Sequence, residues 1–230
     1  MNTTSELLQF YNLLYDQSIL KIKDGNVLLD KMIDNNKDRR RGLTLLIRPD
    51  LNVIDKINRF QKEIKKIDEH QYYQPVSDIH LTVLSIIPCY EGFNLADIAI
   101  QEYVQIITES IKGIGRIKLN FNGITTSPEA VLIQGFPVDR ELDTLRNRLR
   151  ENFARTNLQH SIDSRYKMSA AHVTAIRFRE MLVSPERFAE MLQRYREVNF
   201  GEMRVKSLDL VYNDWYQSRK VVKMLYQFIL

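Results

Sequence analysis

The chain has very little cysteine: Cys89 is the one cysteine among 230 residues. A single cysteine cannot form an internal disulfide, and no CxxC or paired Cys/His spacing indicates a structural zinc site. We therefore interpret Cys89 as a small buried apolar side chain.

Long apolar segments are also missing. No stretch approaches the roughly 20 apolar residues of a membrane-spanning helix, and the start MNTTSELLQFYNLLYDQ lacks the basic and apolar regions of a signal peptide. These absences predict a cytoplasmic protein without membrane association.

A large excess of either charge is absent too: the chain has 33 Lys and Arg and 29 Asp and Glu, which gives a net charge of +4. Charge alone therefore identifies no partner.

Histidine is scarce, yet two of the four histidines occur in the same short pattern. His80 lies in DIHLTVLSI and His172 lies in AAHVTAIRF, and a threonine follows each at i+2, namely Thr82 and Thr174. Both segments are rich in β-branched residues, which favours strands. Alternate residues of a strand face the same side, so each histidine shares a face with its threonine.

The two patterns occupy equivalent places in a repeated order of elements. The segment GLTLLIRPD predicts a strand. A helix is predicted next, because apolar residues recur at steps of three and four over residues 53–67, and the first His strand follows it. A helix over 96–113 and the alternating strand RIKLNFNGI complete the first half. The second half repeats this order with AVLIQGFPVD, a helix over 142–153, the second His strand, the helix SPERFAEMLQRYRE and the strand EMRVKSLDLVYND. KVVKMLYQFIL predicts a final strand.

This repeat predicts the fold class and the domain organisation. We expect an α/β (α+β) fold of two pseudo-duplicated lobes, each an antiparallel or mixed sheet with helices on its outer face, around a central cleft. The domain spans residues 42–230, with lobes at about 42–125 and 129–230. Residues 1–41 are predicted to form a helical extension and a basic tether.

Two imidazoles and two hydroxyls facing one cleft could cleave a phosphodiester without a metal. One neutral imidazole can accept a proton from the attacking oxygen, and the other, when protonated, can give one to the leaving oxygen. Threonine hydroxyls can donate hydrogen bonds to the non-bridging oxygens. No metal-ligand spacing accompanies either histidine, and no GxSxG motif indicates a serine hydrolase. We expect no cofactor and no metal.

The paired patterns, their spacing and the two-lobed plan resemble the 2H phosphoesterase superfamily, which includes RNA 2′-5′ ligase-like proteins and cyclic phosphodiesterases. The resemblance covers about residues 42–230. It implies a metal-independent site in which His80, Thr82, His172 and Thr174 face one phosphate. The second pattern carries a further match, an arginine five residues after the histidine, at Arg177. Bacterial chains of this appearance sometimes bear the name mutarotase, for which the sequence offers no physical basis.

Four residues are candidates for substrate binding. Tyr73 and Trp215 lie in polar segments beside predicted strand ends and could stack on a base. Lys167 and Arg177 could bind a phosphate. Strand alternation, however, turns Arg177 away from the His172 face unless a bulge or the end of the strand redirects it.

The sequence thus leaves three functions open. The first is a phosphodiesterase acting on a nucleotide or RNA end, at a 2′,3′-cyclic phosphate or a 2′-5′ linkage. The second is a non-catalytic module that binds RNA or a nucleotide in the same cleft. The third is a sugar isomerase, as the name mutarotase implies. No obligate protein partner is indicated.

Overall fold

The structure, a computed structural model, describes residues 4–164 and 169–230. These residues form five α-helices and nine strands: α1 (Thr4–Lys23), β1 (Arg40–Ile47), α2 (Leu51–Lys65), β2 (Tyr72–Tyr73), β3 (Leu81–Glu91), α3 (Ile100–Ile111), β4 (Lys118–Ser127), β5 (Ala130–Pro137), α4 (Glu141–Ala154), β6 (Ala171–Arg177), α5 (Pro185–Arg194), β7 (Asn199–Arg204), β8 (Ser207–Asn213) and β9 (Lys223–Ile229).

The predicted order of strand, helix, His strand, helix and strand occurs twice, as β1-α2-β3-α3-β4 and as β5-α4-β6-α5-β7. Two elements show the largest differences from the prediction. The helix expected from residue 96 begins at Ile100, because the Asn94 side chain caps a separate short turn over Leu95–Asp97. EMRVKSLDLVYND forms two strands rather than one, because β7 pairs with β4 whereas β8 pairs with β1.

The strands form one nine-stranded sheet in the order β7-β4-β5-β6-β3-β1-β8-β9, with β2 added beside β6. All its strand pairs are antiparallel. β3 and β6 pair at a single position, Leu81 opposite Val173, so this narrow junction divides the sheet into two halves. The predicted two-lobed α+β fold is confirmed, with its two sheets joined at this point.

Each half of the sheet takes strands from both halves of the sequence. β4, the last strand of the first repeat, lies between β5 and β7. β8 and β9, at the end of the chain, extend the half that contains β1 and β3. The sequence repeats and the halves of the sheet therefore do not coincide.

The helices form where the sequence has one apolar face. α2 begins after Asp50, whose carboxylate accepts a hydrogen bond from the Val53 backbone N–H at 3.1 Å and so caps the helix. Its buried residues Ile57, Phe60 and Ile64 continue at steps of three and four, as predicted. Within the described residues, no helix combines the length and the apolar character needed to cross a membrane.

Helix α1, in the predicted N-terminal extension, packs against β4, β5 and α5. Its central anchor is Tyr11, which is fully buried. The Tyr11 hydroxyl donates a hydrogen bond to the Gly135 carbonyl of β5 and accepts one from the Ala171 N–H of β6, each at 3.2 Å. Helix α1 is therefore fixed to the end of β6 that carries His172.

Arg146 of α4 links the two His strands from behind. Its side chain is fully buried, and its guanidinium donates to four backbone carbonyls: Val83 at 2.9 Å, Thr82 at 3.1 Å, Ser169 at 3.1 Å and Ala170 at 3.0 Å. The first two belong to β3 and the last two immediately precede β6. Burial lowers the pKa of Arg146 to about 10, so the group remains charged at neutral pH.

We predict that Arg146→Met destabilises the protein by about 3 kcal/mol or more. Methionine fills similar space but leaves several buried carbonyls unpaired, at roughly 1–3 kcal/mol each. Urea unfolding measures the change. Arg148→Met on the same helix is the control, since that arginine donates one exposed hydrogen bond, to the Lys112 carbonyl. Equal small losses in both variants would contradict the bridging role.

Candidate functional site

A cleft of about 770 Å³ lies over the junction of β3 and β6. Its lining includes all four residues of the two His-x-Thr patterns, His80, Thr82, His172 and Thr174. Strands β1 and β5 extend the floor on either side. The structure therefore brings both patterns into one site.

The register at the junction arranges these four side chains around a pseudo-two-fold axis. Leu81 lies opposite Val173, and both side chains are fully buried behind the sheet. Because the strands are antiparallel, the flanking residues face the cleft in reciprocal pairs. His80 is set beside Thr174, and Thr82 is set beside His172.

A β-bulge in β6 decides where Arg177 points. The strand has one extra residue there, Ala175, as shown by the successive pairs Leu132↔Thr174 and Val131↔Ile176. A bulge shifts the alternation of side chains by one residue. Arg177 therefore lies on the same face of the strand as His172 and lines the cleft. Simple alternation of side chains would have placed it on the opposite face, and the bulge accounts for the difference.

Strand β3 has a bulge at the equivalent place. Its extra residue is Val83, three residues after His80, as shown by the pairs Leu46↔Thr82 and Leu45↔Leu84. Ser85, five residues after His80, consequently lines the cleft at the position that corresponds to Arg177. The two patterns are thus similar in backbone geometry as well as in sequence.

Buried polar side chains hold both bulges in place. The Ala175 carbonyl accepts hydrogen bonds from Gln61 Nε2 of α2 at 2.8 Å and from the Gln74 backbone N–H at 3.0 Å. The Val83 carbonyl accepts from Arg146 of α4 at 2.9 Å. In each half, a helical side chain therefore satisfies the carbonyl that the bulge removes from the ladder.

The hydrogen bonds of His80 define its tautomer. Its Nδ1 lies 2.7 Å from the Asp78 carbonyl oxygen. Since a carbonyl can only accept, Nδ1 carries the proton, and Nε2 is the acceptor nitrogen of the neutral ring. The preceding turn is fixed by the Asp78 carboxylate, which accepts from Ser77 Oγ at 2.7 Å and from the Arg219 N–H at 3.1 Å.

Both catalytic candidates are neutral imidazoles in the free protein. Burial, first of all, lowers the pKa of His80 and of His172 to about 4. Both residues are half-buried by surface area, and both side chains lie in the cleft. Positive charges act in the same direction: Arg48 and Arg177 lower the pKa of His80, and Arg146 and Arg177 lower that of His172.

A second set of contacts holds Arg177 at the edge of the cleft. Its Nη1 lies 3.8 Å from the Asp30 carboxylate, and its guanidinium lies 5.6 Å from the Tyr216 ring centre. The Tyr216 hydroxyl donates to the same carboxylate at 2.9 Å. Among the described residues, Arg177 Nε has no hydrogen-bond partner, so this buried donor could bind an anionic oxygen.

The other substrate-binding candidates fall in different places. Trp215 lines the cleft, with the Arg40 guanidinium 5.2 Å from its ring centre. Tyr73 lies away from the cleft, which corrects its expected position: it pairs with the buried Ile176 and so points into the core. Its hydroxyl donates to the Asp68 carbonyl. Lys167 lies outside the described residues.

Several lining residues are not identified by the sequence pattern. Many are hydroxyl-bearing side chains: Thr44, Ser85, Ser127, Ser161, Ser164 and Ser169. Only Ser85 has a sequence signal, its place five residues after His80. Two apolar side chains of α1, Phe10 and Leu14, also line the cleft.

The site has no arrangement of metal ligands in the part of the chain that is described. No group of three or more His, Cys, Asp or Glu side chains in residues 4–164 and 169–230 could hold a metal ion.

A family model described as the AKAP7 2′5′ RNA ligase-like domain matches residues 45–223. The chain belongs to this family, within the 2H phosphoesterase superfamily. The predicted superfamily is therefore confirmed, and the match contains both His-x-Thr patterns and Arg177. Residues 1–44, with helix α1, precede the matched region. No curated protein sequence is significantly similar to this chain.

Solved structures show the same fold at low sequence identity. TT0787 of Thermus thermophilus superposes with a TM-score of 0.62 at 16% identity, covering 82% of this chain and 97% of that chain. E. coli LigT complexed with 3′-AMP gives a TM-score of 0.55 at 14% identity, covering 83% of this chain and 98% of that chain. These likenesses concern the fold.

The low histidine pKa values predict that the protein loses stability in mild acid. Between about pH 4 and pH 6.5 the unfolded chain binds protons that the folded site rejects, so stability falls as the pH falls. From pH 7 to pH 5 we expect each histidine to contribute a loss of about 2 kcal/mol. His80→Asn keeps a donor for the Asp78 carbonyl. This variant should lose about 2 kcal/mol less stability than the wild type between pH 7 and pH 5, as measured by urea unfolding at the two pH values. His70→Asn, on an exposed loop, should leave this pH dependence unchanged; identical profiles in all three proteins would contradict the prediction.

Proposed function

We propose that this protein is a metal-independent phosphodiesterase that acts on a nucleotide or an RNA end. The reciprocal placement of two imidazoles and two threonine hydroxyls around the Leu81↔Val173 pair carries the proposal. The substrate would be a 2′,3′-cyclic phosphate or a 2′-5′ linkage, with its phosphorus between the two histidines.

His80 takes the role of general base in this scheme. Its proton on Nδ1 is held by the Asp78 carbonyl, which leaves Nε2 to accept the proton of the attacking water or hydroxyl. The attacking oxygen forms a new bond to phosphorus as that proton moves to Nε2. A pKa of about 4 keeps this nitrogen unprotonated and available at neutral pH.

His172 takes the role of general acid. In the free protein its pKa is also about 4, so it must gain a proton when the substrate binds. A phosphodiester anion beside the ring favours the charged imidazolium, because opposite charges attract at this distance. The bond from phosphorus to the leaving oxygen breaks as His172 protonates that oxygen. A cyclic substrate then gives a phosphomonoester.

Thr82, Thr174 and Arg177 stabilise the charge on the non-bridging oxygens. The two hydroxyls lie on the same face as the histidines, one beside each ring. Arg177 adds a fixed positive charge, positioned by Asp30 and Tyr216. Donors held in place before the reaction stabilise developing charge most effectively, because little reorganisation is needed.

Two observations support a nucleotide substrate. The cleft joins a hydroxyl-rich lining, suited to sugar and phosphate oxygens, with the aromatic ring of Trp215, suited to a base. E. coli LigT, which shares the fold, has been crystallised with 3′-AMP, with ATP and with NADP+. An assay panel of 2′,3′-cyclic nucleotides, 2′-5′ dinucleotides and aldoses, run with and without EDTA, tests the proposal. Tight nucleotide binding without turnover would instead identify a binding module, and conversion of an aldose would identify an isomerase.

We predict that His80→Ala and His172→Ala each reduce turnover by about 10²–10⁴-fold, the usual contribution of a general acid or base. The double variant should be little worse than either single variant, because the two groups act as a unit. The assay uses whichever ester of the panel the wild type cleaves, with EDTA present. His70→Ala is the control. Turnover close to wild type in either active-site variant would refute the scheme, and loss of wild-type turnover with EDTA would indicate a metal-dependent reaction.

The threonines give an independent test of the geometry. Valine has nearly the shape of threonine and suits a strand equally well, so Thr82→Val or Thr174→Val should leave the melting temperature almost unchanged. Turnover should fall by roughly 10²–10³-fold, the cost of one preorganised donor to an oxyanion. Thr→Ser at the same positions restores the hydroxyl and should recover much of the activity. Full activity in both valine variants would show that the threonines stabilise the strands and do not bind the phosphate.

A further inference from the structure

The N-terminal extension forms one side of the cleft. Tyr11 fixes α1 beside Gly135, at one end of β5. After the helix, the Leu28 N–H donates to the Pro128 carbonyl at 2.8 Å, just before the other end of β5. Asp30 then reaches Arg177. Residues 4–30 therefore run alongside β5, from the start of β6 to the Arg177 edge of the site.

Helix α1 lies on the face of the sheet that carries the reactive groups. Thr125 of β4 pairs with Leu132 of β5, which pairs with Thr174 of β6, so these three side chains share the cleft face. The Thr125 hydroxyl donates to the Tyr11 carbonyl at 2.7 Å. The helix thus covers β4 on this face and stands as a wall next to the His172 side of the cleft.

The wall presents an apolar surface to the cleft. The buried stripe of α1 contains Leu7, Tyr11 and Tyr15, and it faces the sheet. Phe10 and Leu14 are spaced i, i+4, so they lie together on one flank of that stripe, and both line the cleft. Phe10 is 41% exposed, so an aromatic face is available for contact at this side of the site.

We infer that Phe10 and Leu14 form a subsite for a nucleobase on the substrate's His172 side. An apolar wall beside a phosphate site receives the face of a planar ring rather than its edge, so it accepts different bases. The hydroxyl-rich remainder of the cleft suits a sugar and a phosphate rather than a lipid chain. The inference rests on the proposed phosphodiesterase function. The family match begins at residue 45, so this subsite belongs to the part of the chain outside it.

Several contacts hold helix α1 in place, which favours a binding role. The Tyr15 hydroxyl donates to Gln193 Oε1 of α5 at 2.8 Å, and the Arg196 guanidinium lies 4.3 Å from the Tyr15 ring centre. Together with Tyr11, these contacts hold the helix on both the sheet and α5. A base that stacks on Phe10 therefore meets a surface already in position, at low entropic cost.

Calorimetric titration with three ligands tests the subsite. AMP carries a base, sugar and phosphate; ribose 5-phosphate lacks the base; inorganic phosphate lacks both. We expect Phe10→Ala to weaken AMP binding by roughly 5- to 150-fold, the range for loss of one stacked base. Binding of ribose 5-phosphate and phosphate should stay within about twofold of wild type, as for a surface substitution.

Two control variants sharpen the test. Leu13→Ala alters a side chain of the same helix that is 56% exposed and is not among the residues that line the cleft, and it should leave AMP affinity unchanged. Phe10→Tyr keeps an aromatic face and should retain AMP binding. AMP affinity equal to wild type in Phe10→Ala would overturn the subsite alone. Equal weakening of AMP and ribose 5-phosphate would also overturn it. A wild-type protein that binds none of the three ligands would overturn the proposed phosphodiester site, and the subsite with it.

Discussion

The buried guanidinium of Arg146 is the constraint on which the site depends. The two halves of the sheet share one residue pair, too little to define the separation and tilt of the two His strands by strand pairing alone. Arg146 supplements that pair with hydrogen bonds to carbonyls of both strands, directly behind the cleft floor. Its planar fork of donors defines a direction for each carbonyl, so the relative placement of the two imidazoles follows from a group that does not face the cleft.

A charge so close to the site also affects its chemistry. Burial is the main cause of the lowered pKa of His172, and the positive charges of Arg146 and Arg177 lower that pKa further. The two histidines are therefore neutral, and Arg177 supplies a positive charge at the edge of the cleft, which would complement an anionic phosphoester. In the proposed reaction, His172 therefore gains its proton when the substrate binds.

The sequence alone predicts much of the fold, because strong periodicity marks the elements and scarce histidines mark the strands that matter. It does not predict the partners of β4 and β8, since apolar alternation shows which face is buried but not which strand lies alongside. The bulges at Val83 and Ala175 are not predictable from the sequence either, because no glycine or proline accompanies them. The direction of the Arg177 side chain depends on the second bulge, so it is not predictable from the sequence. Tyr73 shows the reverse case: its polar surroundings suggest a site, but its pairing with Ile176 sends it into the core.

The exchange of strands between repeats has a consequence for how the chain acquires its structure. β1 pairs with β8, joining Gly42 to Asn213, so one edge of β1 finds its partner only after most of the chain has left the ribosome. Contacts between such distant residues make folding slow, because a long loop must close before the pairing stabilises it. During synthesis that open strand edge is a surface on which another nascent chain could pair. The strand exchange that joins the two halves around one cleft is thus expected to slow folding and to leave a strand edge exposed during synthesis.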